Sequence, residues 1–137
     1  MLQRYFFNKM LALILCGIGL PALVSAQSYE EVYSQSSDEV RSVMDLNKMD
    51  GKPILTNIYV NYEFSFNGLN ENGNRDRLPS ILSNTLEAFN ISINPTNDHV
   101  VFTCLITNGI EKLKAPLIEH GMSFNNLFKK EYTIIKH

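Results

Sequence analysis

Apolar and polar residues alternate most clearly between residues 54 and 66. Ile54, Thr56, Ile58, Val60, Tyr62, Phe64 and Phe66 occupy one parity, and Asn57, Asn61, Glu63 and Ser65 the other. A period of two puts these sets on opposite faces of an extended chain, so the segment reads as a strand with one dry and one wet side. It is longer than the usual run of about five or six residues, which predicts a bend, a bulge or an overhang.

The pattern then changes period. Residues 67–76 form an Asn- and Gly-rich loop, after which Leu78, Ile81, Leu82, Thr85, Leu86 and Phe89 recur at helical spacing, with Asp76 as cap and Pro79 in the first turn. Residues 91–93 read as a short strand, 94–98 as a turn, and 99–107 as a second alternating strand with Val100, Phe102, Cys104 and Ile106 on one side. Ile110, Leu113, Leu117 and Ile118 predict a helix ending at Gly121, kinked or delayed by Pro116. A shorter helical piece over 123–129 and a last strand over 132–136 complete the chain. Upstream, Ser28 with Glu31 and Ser36 with Glu39 match the capping-box spacing, and Val40, Val43, Met44 and Asn47 share a helical face. These predict a helix over 37–48, with a start as early as Ser28 as the other option, stopped by Asp50, Gly51 and Pro53.

From residue 54 the order is strand, helix, strand, strand, helix, strand. Right-handed crossovers fold that order into an α+β, ferredoxin-like βαββαβ sandwich over 54–137: a four-stranded sheet with two helices on one face, preceded by a polar segment, 27–53, that carries the N-terminal helix. The element order resembles ferredoxin-like domains in general, among them heavy-metal-associated and RNA-recognition domains. The loop after the first strand holds no Cys-x-x-Cys pair, so the metal chemistry of the former does not carry over. The wet face of the second long strand (His99, Val101, Thr103, Leu105, Thr107) lacks the aromatics and basic surround of the latter.

Residues 1–26 change the picture of where the chain resides. Arg4 and Lys9 precede an apolar run over 10–24, and Val24, Ser25 and Ala26 offer a cleavage site after Ala26. The run is short for a membrane span and is broken by Gly17, Gly19 and Pro21, so we expect a cleaved export signal and a periplasmic or secreted protein, with the membrane involved only before cleavage. A lipoprotein reading at Cys16 is disfavoured by Leu15 before it. The whole chain of 137 residues carries a formal charge of -2. Beyond residue 26 there are 10 basic and 14 acidic side chains, a balance that gives no reason to seek nucleic acid. Cys104 alone survives cleavage, which excludes an intrachain disulfide.

Candidate chemistry is sparse. There is no Gly-x-Ser-x-Gly, His-Glu-x-x-His, phosphate loop or dinucleotide fingerprint, and no cofactor is expected. Cys104 shares an apolar strand face, a setting for an inert thiol. His120 and Met122 together suit copper, yet Gly121 between them equally marks a helix end that His120 complements and Met122 underpins. Asn70, Asn72, Asn74 and Asp76 space oxygen atoms as a calcium loop does, without its closing glutamate, and Asn90-Ile91-Ser92 satisfies the glycosylation sequon. The strongest candidate surface is the wet side of the sheet. Leu55, Tyr59, Val101 and Leu105 would lie there among Asn57, Asn61, Thr103 and Thr107, an apolar group ringed by small polar ones. Either that patch docks a protein partner or a second copy of the chain, or the N-terminal helix covers it through Val40, Val43 and Met44. The first option makes the protein a non-enzymatic binding or assembly module; a periplasmic copper-type carrier is the alternative.

Overall fold

The computed structural model describes residues 28–136; the segment over 1–26 that the sequence predicts to be an export signal, Gln27 and His137 lie outside the described residues. Two helices open it. Ser28 caps α1 (Tyr29–Gln35) by accepting the Glu31 amide at 3.2 Å, and Ser37 caps α2 (Asp38–Met49) by accepting the Val40 amide at 3.3 Å. The second cap is therefore Ser37 rather than Ser36, whose hydroxyl turns back to the Val32 carbonyl at 2.5 Å.

The first strand, β1 (Tyr59–Asn67), begins five residues later than the alternation predicts. Residues 53–58 form turns instead: the Thr56 amide donates to the Pro53 carbonyl at 3.1 Å, the Ile58 amide to the Leu55 carbonyl at 3.2 Å, and Asn57 takes a left-handed φ of 63°. The Asn47 side chain of α2 fixes this approach, donating to the carbonyls of Ile54 at 3.0 Å and Thr56 at 2.8 Å. Backbone acceptors captured by a helix side chain are not available to a sheet.

Helix α3 (Asn74–Leu86) follows, starting before Asp76, so Pro79 falls in its second turn. Phe89 is not its last apolar residue: the chain turns at Glu87, φ 54°, and Phe89 opens β2 (Phe89–Ile93). The hairpin partner is β3 (His99–Leu105). The predicted single helix after it divides into a 3-10 turn, Ile110–Leu113, and α4 (Lys114–Glu119), with Pro116 in the first turn of α4. The largest departure comes last. Residues 123–129 are not helical but the first part of β4 (Ser123–Thr133), which pairs with β1 along nearly its whole length. Phe124 and Leu127 face Phe66 and Phe64 across that pairing, and burial against β1 overrides local preference.

The fold is thus α+β, with four α-helices among the described residues and one four-stranded antiparallel sheet in the order β2-β3-β1-β4. Val60, Tyr62, Phe64 and Phe66 of β1 join Val100, Phe102 and Cys104 of β3 on the dry side, against Leu78, Leu82 and Leu86 of α3, Ile110, Leu113 and Leu117. The core is aromatic: Phe64 stacks on Phe102 at 6.2 Å and tilts onto Phe124 at 4.8 Å. Val32, Val40 and Met44 of the first two helices join this same cluster. Tyr132 and Lys130 of β4, which stand opposite Val60 and Tyr62, both feel the charge of Glu31 on α1. The N-terminal helices therefore extend the dry layer over the β4 side and leave the other sheet face uncovered.

Candidate functional site

The register defines the uncovered face. Along β1, Tyr59, Asn61, Glu63 and Ser65 stand opposite Leu105, Thr103, Val101 and His99 of β3. On the far side of β1, Thr133, Glu131 and Lys129 of β4 stand opposite Tyr59, Asn61 and Glu63. Tyr59, Val101 and Leu105 thus share one surface, as their spacing predicts. Leu55 does not: it lies in the turn before β1 and packs half-buried against the core. Asn57 and Thr107 also fall outside the strands.

Two aromatic residues join the surface that the sequence did not place there. Phe89 stands opposite Thr103, and its ring meets Tyr59 edge-on at 5.7 Å. Phe128 is an extra residue of β4, in a bulge between Lys129, opposite Glu63, and Leu127, opposite Phe64. Its ring stacks on His99 at 4.2 Å and 20°. Reading Phe89 as the end of a helix and Phe128 as part of one hid both; a parity count through a bulge is not legible without the partner strand.

Polar contacts stitch the middle of the face. Thr103 donates its hydroxyl to Asn61 Oδ1, His99 Nδ1 lies 2.9 Å from Glu63 Oε2, and Lys129 sits 3.9 Å from Glu131. Lys129 stands opposite Glu63 and beside Glu131, so charges of both signs meet on this face. Val101 is 39% exposed and Phe128 50%.

The other candidate groups are held by structural contacts. Met122 is buried in the core, its amide donating to the Leu117 carbonyl at 2.8 Å, and His120 is the last residue of the α4 turn, its carbonyl accepting from Asn74 at 3.0 Å. His99 is engaged with Glu63. Among the described residues no three His, Cys, Asp or Glu side chains converge as a metal site would require. Asn70 accepts from Arg75 at 2.5 Å, and the fully buried Asn74 spends its amide on Gly68 and His120, so the Asn-rich loop is internally bonded. Burial pushes the Cys104 thiol up to about 12. Asn90 is exposed in the β2 bulge with φ 52°. No described helix is long and apolar enough to cross a membrane. Comparison with protein-family models, with curated proteins and with solved structures finds no match.

Proposed function

We propose that this chain is a small exported module, non-enzymatic, that docks a protein partner or a second copy of itself through the open face of a ferredoxin-like βαββαβ domain. The antiparallel order β2-β3-β1-β4, with a crossover on the dry side after β1 and another after β3, supports that topology. The observation that carries the docking reading is the exposure of Val101 and Phe128 on a sheet face whose Tyr59 and Phe89 rings already form an aromatic pair. Rigid aromatic and aliphatic groups ringed by small hydroxyls and amides suit recognition, because they bury area with little loss of side-chain freedom. The test is the double variant Tyr59→Asp, Leu105→Asp, immobilised beside the natural chain. The natural chain should retain a partner or a second copy from the exported fraction, and the variant should retain neither, with unchanged circular dichroism. Equal retention by both would overturn the reading.

A further inference from the structure

A second concavity lies away from the sheet face. Tyr29, Glu30, Tyr33 and Ser34 of α1, Met44, Asp45 and Lys48 of α2, and Ile54 enclose a cleft of about 480 Å³. That lies within the range of about 300–1,000 Å³ typical of small-molecule sites. The buried Met44 and half-buried Ile54 give it an apolar floor, and the exposed rings of Tyr29 and Tyr33 stand at its wall. The Tyr33 hydroxyl donates to Asp45 Oδ2 at 3.2 Å, which fixes that carboxylate at the rim and joins the two helices. The Arg41 guanidinium lies 5.4 Å from the Tyr33 ring centre, so this ring already attracts one cation.

The distribution of charge gives an independent reason to expect a cation. Between Ser28 and Asp50 there are six acidic side chains and two basic ones; between Gly51 and Lys136 there are eight of each. The entire negative excess of the described residues therefore sits on the two helices that form the cleft. A carboxylate at the rim, tyrosine rings in the wall and an apolar floor together attract positive charge carried on an apolar body, by Coulomb attraction, ring quadrupole and burial.

We propose that the cleft between α1 and α2 binds a small organic ammonium cation, with the ammonium near Asp45 and Glu30, its apolar part against Met44 and Ile54, and Lys48 opposing it. Choline and its uncharged isostere 3,3-dimethyl-1-butanol differ in charge at nearly constant shape, which makes them suitable probes. Titration of the purified protein with each, followed through the ring resonances of Tyr29 and Tyr33, should show saturable shifts with choline and none with the alcohol at the same concentrations. Asp45→Asn should weaken choline binding by roughly 3- to 10-fold, as for a partly screened charge contact, and Lys48→Met should tighten it. Both side chains are exposed, so circular dichroism should remain that of the natural protein. Absence of saturation with choline, equal shifts with the alcohol, or no response to Asp45→Asn would each overturn the proposal. Binding of a lysine-containing peptide without binding of choline would do so as well.

Discussion

His99 and Phe128 stack with ring centres 4.2 Å apart although they belong to strands that are not neighbours. β1 runs between β3 and β4, and the two side chains meet above it at Ser65, the residue opposite His99. Ser65 has the parity of the wet face and yet is only 2% exposed. Something must therefore cover it on that side, and the register places the stacked pair nearest. Its hydroxyl, shielded in this way, accepts the Asn126 amide at 3.1 Å beside the β4 bulge.

Removing the roof should expose that contact. Phe128→Ala is expected to cost about 1 kcal/mol, the scale of an aromatic pair on a half-exposed site, and to accelerate hydrogen exchange at the Asn126 amide more than at the β1–β3 amides. Urea denaturation and exchange followed by NMR read both effects. Unchanged exchange at Asn126 would show that the stack shields nothing.

The junction of the Asn-rich loop with the end of α4 should be far more sensitive. Asn74 donates to the carbonyls of Gly68 at 2.7 Å and His120 at 3.0 Å, and accepts from Arg77 at 3.1 Å. Asn74→Ala takes from the His120 carbonyl its donor and from the Gly68 carbonyl one of two, the Glu71 amide remaining, and it empties a fully buried position, so a loss of about 2 kcal/mol is expected in urea. Gly68→Ala should be comparably harmful: φ is +80° there, and a Cβ would run into the Gly121 carbonyl.

The attachment of the N-terminal helices separates a buried polar contact from an exposed one. Asn47→Ala removes both bonds to the turn before β1 and should cost about 2 kcal/mol. Glu39→Ala breaks the exposed ion pair with Lys136, 2.8 Å long, and should leave the melting temperature close to that of the natural chain, because water screens the pair. Equal effects in thermal melts would contradict the assignment of Asn47 as the tie.

Alkaline pH should weaken the fold. Burial pushes both the Cys104 thiol and the Tyr132 hydroxyl up to about 12. Folded, each keeps its proton to higher pH than it does unfolded, so the unfolded chain binds fewer protons as pH rises. Their contribution is complete below the ordinary thiol range, near pH ~8.5, and is lost as pH climbs from there towards 12. Urea midpoints should be level between about pH 7 and 8 and fall above about pH 9. Cys104 should also resist a disulfide reagent at pH 8 until urea unfolds the chain.

Much of this architecture is written locally. Alternation from Ile58 to Phe66 and from His99 to Leu105 is enough to make strands with a dry side, because side chains of an extended chain must point to alternate faces. Ser28 similarly determines where α1 begins, since a hydroxyl at that point meets an otherwise orphaned amide, whereas the capping-box spacing places the start of α2 one residue early, at Ser36 instead of Ser37. What lies beyond reach of local pattern depends on residues distant in the chain. Residues 123–129 became strand because β1 offered a partner and an aromatic surface to cover. Phe128 reached His99 because a bulge changed its parity, and Leu55 left the sheet face because Asn47 took the carbonyls around it. The site inherits this division: Tyr59, Val101 and Leu105 follow from period two alone, whereas Phe89, Phe128 and the cleft between α1 and α2 exist only once non-local pairing has set each strand's register and each helix's neighbour.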